Sequence, residues 1–293
     1  MCGTTAFTEY RLYSSVSRAW GTKTANWFLF YTSVALGMQH ASVALLPSSF
    51  AMNWVTLATS SAIDAMKPAQ NIPKFTAAAA LIQFAIAGIV GWPFALALAG
   101  PFGIYISGYG LRFDPKWLLQ TVTIVIAAVS AICAVVIAID THYYQKSAFV
   151  PLNIVLYNVF GGEGEGPEIF GVEDFLYYPM NLILNFNGIF PLAVLGTVFV
   201  PFVVGKSGFV TVSMPLFVWG LVFGSQPHKE ERFLYPIYTL ISLSGAVFTN
   251  AVFQMCRQFG ITKILIKLTQ WSLVAIIGLV SILRTFSLVE NYS

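Results

Sequence analysis

The strongest constraint on this chain is a series of long stretches without a single Asp, Glu, Lys or Arg. Residues 24–63 form one, broken near the middle by Leu46-Pro47-Ser48-Ser49, and residues 75–111 form another, broken at Gly91-Trp92-Pro93. Further apolar runs follow at 118–139, 178–205, 207–225, 233–255 and 268–286. A helix of about 20 apolar residues crosses the roughly 30 Å hydrocarbon core of a bilayer. Only helices or closed barrels satisfy the backbone there. The breaks divide the first two stretches into 27–45, 48–63, 75–90 and 92–109, so the pattern predicts an all-α, polytopic transmembrane bundle of about nine spans. The pieces meeting at Pro47 and Pro93 are short for full crossings, which suits tight hairpins or re-entrant half-helices.

Composition excludes the alternatives. Hydrophobic residues make up 57% and charged ones 9%, with a mean hydropathy of +0.75, whereas a soluble domain is about one quarter charged. A water-soluble globule, a nucleic-acid binder and a disordered chain are all ruled out, and one transmembrane domain over 1–293 is expected. The three cysteines (Cys2, Cys133, Cys256) form no CxxC pair, so neither a disulfide framework nor a cysteine metal site is expected. His40 and His142 lack the H-x-x-H or H-E-x-x-H partners of a metal site, and no metal or other cofactor is expected. No apolar h-region precedes Arg11 and Arg18, so the first apolar run is expected to serve as its own signal anchor.

The placement of charge gives the chain a direction. Threading nine spans puts Arg11, Arg18, Lys23, Lys67, Lys74, Arg112, Lys116, Lys206, Arg257, Lys263 and Lys267 on one face and only Lys146, Lys229, Arg232 and Arg284 on the other. Cytoplasmic loops carry the excess of Lys and Arg. The N-terminus, with Glu9, is therefore expected in the cytosol, and residues 140–177 and 226–232 on the opposite face. Nine of the twelve acids fall on that opposite face.

Two segments there hold most of the polar chemistry. Residues 140–187 begin with Asp140, pass through a Gly-rich acidic stretch (Glu163, Glu165, Glu168, Glu173, Asp174) among tyrosines, and end on Asn181, Asn185 and Asn187. Carboxylates, amides and aromatic faces are the groups that line a carbohydrate site. Tyrosines at a membrane interface and asparagines at helix ends also occur without any ligand, so both readings stand at this point. The second segment, Gln226-Pro227-His228-Lys229-Glu230-Glu231-Arg232-Phe233, packs five ionisable residues between apolar spans. Lys229 and Arg232 could snorkel to lipid headgroups. The same residue types suit phosphate, Lys as a point charge and Arg as a planar fork, with a carboxylate beside them to move a proton.

The string His228-Lys229-Glu230-Glu231-Arg232-Phe233 followed by Leu-Tyr-Pro resembles the signature of the dolichyl-phosphate-mannose-dependent α-mannosyltransferases, glycosyltransferase family 22. Leu46-Pro47-Ser48-Ser49-Phe50, Gly91-Trp92-Pro93-Phe94, and the run Pro151–Val159 leading to Leu184-Asn185-Phe186-Asn187 resemble the α-1,2 branch of asparagine-linked glycan assembly. The resemblance is colinear from about Glu9 to Tyr292. It implies a GT-C bundle in the endoplasmic reticulum membrane, active on its lumenal face. The reaction implied is transfer of mannose from dolichyl-phosphate-mannose to a dolichyl-diphosphate oligosaccharide, with inversion. His228, Lys229 and Arg232 are then expected to bind the donor phosphate. Asp140, Glu230 and Glu231 are candidates for the catalytic carboxylate, and Asn158, Asn185 and Asn187 for sugar contact. A glycosylphosphatidylinositol-anchor mannosyltransferase shares part of the signature, and a non-catalytic transporter or scaffold is the alternative from another class. The resemblance also implies that the family's acidic first lumenal loop and its distal lumenal domain have no counterpart in these residues, so little transfer by the chain alone is expected.

Overall fold

The computed structural model describes residues 1–67, 71–160 and 171–292, all in helices and their connections. The acids Glu163, Glu165 and Glu168 lie outside the described residues. In chain order the helices are α1 (Cys2–Trp20), α2 (Thr22–Val34), α3 (Leu36–Val43), α4 (Pro47–Ala65) and α5 (Lys74–Ile86). α5 continues as a π-turn to Gly91, and a 3₁₀ segment (Pro93–Ala99) leads into α6 (Gly100–Phe113). There follow α7 (Pro115–Tyr144), α8 (Val150–Phe160), α9 (Tyr177–Phe186), α10 (Ile189–Gly208) and α11 (Met214–Gly224). A second 3₁₀ segment, Glu231–Ile237, opens α12 (Tyr238–Gln258), and α13 (Lys263–Tyr292) closes the series.

Prolines set many of these starts. Pro47, Pro93, Pro101, Pro115 and Pro215 each occupy the first or second position of their helix, where the missing N–H costs nothing and φ is already helical. Asp114 caps α7 by accepting from the Trp117 amide at 2.9 Å.

α12 is the axis of the bundle: 83% of its apolar window is buried, against 0% for α7 and 11% for α13. It packs on α10, where a Cβ on Gly196 would sit 2.3 Å from the Ser244 carbonyl oxygen. Small residues at such crossings let helices approach without a hydrophobic driving force. Ser244 Oγ donates across the same crossing to the Ala193 carbonyl at 2.8 Å. The exposed apolar flanks of α7 and α13 far exceed what a soluble surface carries, and the chain is a multi-pass membrane protein.

Among the described residues, six helical stretches are long and apolar enough to cross a bilayer, seven if the α3–α4 pair, bent by 110°, counts as one span. The expected nine are not reached on this measure. The arm 27–45 is broken at the extended residue Ala35, and 178–205 with 207–225 gives one apolar stretch, Ile189–Gly224. That stretch is not straight. Gly205, at φ 69°, lies outside helical geometry, and Phe190 and Val194 face Phe217 and Trp219 across a common groove. The chain therefore reverses near the break expected between 205 and 207.

The N-terminal segment corrects the threading. Residues 1–23 are not an arm beyond the bundle: α1 runs alongside α4 in the same direction. Thr8 bonds Asn53 at 3.3 Å, Ser15 contacts Ser60 at 2.9 Å, and Arg18 pairs with Asp64 at 2.9 Å. Cys2 thus lies at the Pro47 end, and Trp20 at the opposite end, where its indole donates to Ser207 at 3.0 Å. The charge count placed this segment outside the spans; in the structure α1 buries Leu12 and Val16 together with the small polar side chains Thr5, Thr8 and Ser15, a mixed face with only a short apolar component.

Candidate functional site

Three of the sequence motifs meet at one end of the bundle. Gly91 abuts the start of α4 so closely that a Cβ there would lie 3.0 Å from Phe50 Cδ1 and 3.2 Å from the Ala51 nitrogen. The neighbouring Trp92 stacks on Phe233, ring centres 5.0 Å apart and planes 21° apart, and meets Trp219 and Phe223 edge-on or tilted. Trp219, fully buried, donates its indole N–H to the Phe233 carbonyl at 3.0 Å. An aromatic cluster of this kind gains about 0.5–1.5 kcal/mol per ring pair beyond its buried area, and it fixes the backbone on which the ionisable residues stand.

Those residues form two clusters. In the first, Arg232 grips both oxygens of Glu230, from Nη2 to Oε1 at 2.8 Å and from Nε to Oε2. His228 approaches the same carboxylate through Nε2 at 3.0 Å, while its Nδ1 lies 3.0 Å from the Gly171 carbonyl. Burial raises the Glu230 carboxyl, but the hydrogen bonds from His228 and Arg232 outweigh it and hold the group below the ordinary glutamate range. A carboxylate so stabilised is a poor base. In the second cluster, Asn185 directs its amide N–H groups at Asn181 Oδ1 and Glu231 Oε1, both at 3.0 Å, and at the Tyr238 oxygen, 3.4 Å away. Tyr177 lies beside it. Burial first, then the carboxylates of Glu231, Glu173 and Glu230, raise its phenol.

The remaining expected residues are placed elsewhere. Lys229, expected on phosphate, is 6% exposed. Its ammonium donates to the Gln226 and Glu173 carbonyls at 2.6 and 3.2 Å, and the Glu173 N–H returns a bond to the Pro227 carbonyl at 3.0 Å. Lys229 thereby fastens the 171–176 segment to the 226–230 segment. Asp140 accepts from the Val150 amide at 2.8 Å and joins α7 to α8. Asn158 donates back to Ile154 in its own helix at 2.8 Å. Asn187, at φ 47°, turns the chain between α9 and α10 and points to Ser281 at 3.4 Å. Of the candidate sugar contacts, Asn185 alone joins the ionisable clusters. Among the described residues no three His, Cys, Asp or Glu side chains are placed to hold a metal.

Two participants were not singled out by the sequence. Tyr238 lies seven residues after Glu231, a same-face spacing in a regular α-helix that the intervening 3₁₀ segment does not keep. Gly37 carries no such signal: a Cβ there would come within 2.9 Å of both Asn185 Cβ and Tyr238 Cε2, so only glycine lets α3 close on this pair. Beside the clusters, a groove of about 340 Å³ between α9–α10 and α11–α12 is lined by apolar and aromatic side chains, among them Tyr178, Leu182, Phe223 and Leu234.

The fold is that of a solved GT-C structure. ArnT from Cupriavidus metallidurans bound to undecaprenyl phosphate superposes with a TM-score of 0.59 at 11% identity, over 84% of this chain and 44% of that one. Sequence relatives are nearer. The chain is 34% identical to the α-1,2-mannosyltransferase ALG9 of Saccharomyces cerevisiae over 97% of its length and 49% of the relative's. It is 32% identical to mouse ALG9, over 97% of its length and 46% of the relative's, and 39% identical to Drosophila melanogaster Alg9, over 83% and 38%. It spans about half the length of the curated relatives it matches. With the family profile matched across residues 1–293, the chain belongs to the Alg9-like mannosyltransferase family, glycosyltransferase family 22.

Proposed function

We propose that this chain serves in transfer of mannose from dolichyl-phosphate-mannose to a mannose hydroxyl of a dolichyl-diphosphate oligosaccharide, forming an α-1,2 linkage in asparagine-linked glycan assembly. Its setting is the endoplasmic reticulum membrane, with the His228–Arg232 end facing the lumen. The observation that carries the reading is that one short motif holds both the Arg232–Glu230–His228 cluster and the Glu231–Asn185 cluster, while the next residues along it, Leu234 and Ile237, line an apolar groove. The names of the relatives support the reaction, and the polyprenyl phosphate bound by the fold neighbour supports the donor class.

Each part has a chemical task. The groove is apolar enough to take part of an isoprenoid chain. Arg232, half exposed, keeps guanidinium N–H groups beyond those spent on Glu230 and offers them to the phosphate as negative charge develops on it. Glu231 takes the proton of the acceptor hydroxyl. As that oxygen bonds to the mannose anomeric carbon, the bond from this carbon to the phosphate oxygen breaks, and dolichyl phosphate leaves with the electron pair. Asn185 orients Glu231 and offers an amide to the sugar. Glu230, held ionised by Arg232 and the hydrogen bond from His228, positions Arg232 rather than moving a proton.

The test is the size of the lipid-linked oligosaccharide in cells lacking the endogenous enzyme, with the substitutions placed in a full-length relative at the matching positions. Glu231→Gln should leave the truncated oligosaccharide in place, and Arg232→Lys should impair transfer because an ammonium cannot reproduce bidentate donation. Normal glycan in Glu231→Gln would remove Glu231 as the base.

A further inference from the structure

At the end of the bundle opposite His228, the first turns of α2, the last turns of α12 and the first turns of α13 enclose a cleft of about 430 Å³. Lys23, Arg257 and Lys267, one from each helix, converge on it. None of the three is in an ion pair with a described carboxylate. The acids nearest this end are already engaged: Asp64 takes Arg18 at 2.9 Å and Lys67 at 2.6 Å, and Asp114 caps α7. Three like charges brought around one concavity repel one another unless an anion lies between them.

The walls are built for an amphipathic anion. Trp27 stands fixed on one side, stacked on Phe253 with centres 5.9 Å and planes 12° apart. Trp271, 71% exposed, stands on the other, with Gln270 beside it. Tryptophan and cations at the end of an apolar span mark the headgroup level of a bilayer, and basic pockets between spans are the form that headgroup sites take. From the cleft α13 continues as an apolar helix only 11% buried, a flank along which acyl chains can lie. The distance from the candidate catalytic cluster is large. Tyr238 and Arg257 are nineteen residues apart on α12, or about 28 Å at 1.5 Å per residue, close to the full hydrocarbon thickness.

We propose that this cleft is a binding site for an anionic glycerophospholipid, with the lipid phosphate held by Lys23, Arg257 and Lys267 and the headgroup laid against Trp271. The site is separate from the groove assigned to the donor and fixes the opposite end of the bundle in its own leaflet.

The full chain, purified in detergent, provides the test. Native mass spectrometry and thermal unfolding would be followed with phosphatidylinositol, with phosphatidylcholine and with inorganic phosphate. Phosphatidylinositol should remain bound and raise Tm, while phosphatidylcholine and inorganic phosphate should not. Arg257→Gln with Lys267→Gln should weaken phosphatidylinositol binding by about tenfold or more, roughly the loss of one strong charged contact. Trp271→Ala, at an exposed position, supplies a second variant should the double change unfold the chain, and it too should weaken binding. Equal retention of phosphatidylcholine, stabilisation by inorganic phosphate alone, or unchanged phosphatidylinositol binding in folded variants would each overturn the proposal.

Discussion

Lys229 separates two accounts of the charged motif. A phosphate contact was the expectation from sequence, yet the buried ammonium spends two of its three N–H donors on the Gln226 and Glu173 carbonyls, at 2.6 and 3.2 Å. Lys229→Met keeps much of the stem and removes the charge. Each charge-assisted bond is worth about 1.5–3 kcal/mol, and relief from burying an ammonium offsets part of the loss, leaving roughly 2–4 kcal/mol. At 1.4 kcal/mol per tenfold change, segment 171–176 should open about 30- to 700-fold more often. The readout is hydrogen exchange in detergent, at the Glu173 amide above all, since that N–H donates to the Pro227 carbonyl. Exchange there should accelerate, while Lys146→Met, at an exposed position, changes nothing over the same segment. Unaltered exchange in Lys229→Met together with lost binding of a polyprenyl phosphate would refute the fastening role and return Lys229 to the phosphate.

Three further outcomes follow from the same geometry. Gly37→Ala places a methyl 2.9 Å from Asn185 Cβ and Tyr238 Cε2; overpacking costs about 1–3 kcal/mol. Placed at the matching position of a full-length relative, it should lower transfer beyond any fall in Tm, whereas Gly108→Ala, with open space around it, should leave transfer intact. Trp92→Ala removes a ring that contacts Phe233, Trp219 and Phe223; a loss of about 3 kcal/mol is expected, read as a lower unfolding midpoint, with Trp92→Phe retaining most of it. Glu230 supplies the pH dependence. Because its carboxyl is held below the ordinary range by His228 and Arg232 despite burial, its contribution is full at neutral pH and is lost as pH falls through and below that range. The stability gap between wild type and Glu230→Gln should therefore narrow from about pH 7 to about pH 3, and a constant gap contradicts the ion pair.

The apolar spans were legible because the bilayer reduces the problem to a count of uncharged residues. Breaks at Leu46–Ser49 and Gly91–Pro93 were read from proline and glycine and fall at the start of α4 and at Trp92. α1 was not legible for the opposite reason. It packs largely through hydroxyls and one ion pair, Thr8 to Asn53, Ser15 to Ser60 and Arg18 to Asp64, and its buried apolar pair Leu12 and Val16 is too short a stripe to read as a span. The charged motif was found, but the division of labour inside it was not. Sequence shows five adjacent ionisable residues; the extended backbone at Glu230, just ahead of the 3₁₀ segment, sends alternate members in different directions. Glu230 turns to Arg232 and His228, Glu231 to Asn185, and Lys229 to the carbonyls of two connecting segments.

In the proposed reaction, that division leaves one of the two carboxylates to act as the base. Two neighbouring glutamates in one motif have equal claims until their partners are counted. Glu230 accepts from an arginine fork and a histidine, both of which favour the charged form. Glu231 accepts from a neutral amide, Asn185, and stands near two phenols, Tyr177 and Tyr238, partners that orient a carboxylate without neutralising it. Replacing the Arg232 fork therefore acts on Glu230 first and on Glu231 only through the shared backbone, whereas Asn185→Ala acts on Glu231 directly. In a full-length relative the two changes should differ in kind. Arg232→Lys should weaken use of the phosphate donor, and Asn185→Ala should shift the pH profile of transfer, since it touches the carboxylate proposed as the base. A pH profile that moves with Arg232→Lys and stays fixed with Asn185→Ala would exchange the roles of the two glutamates.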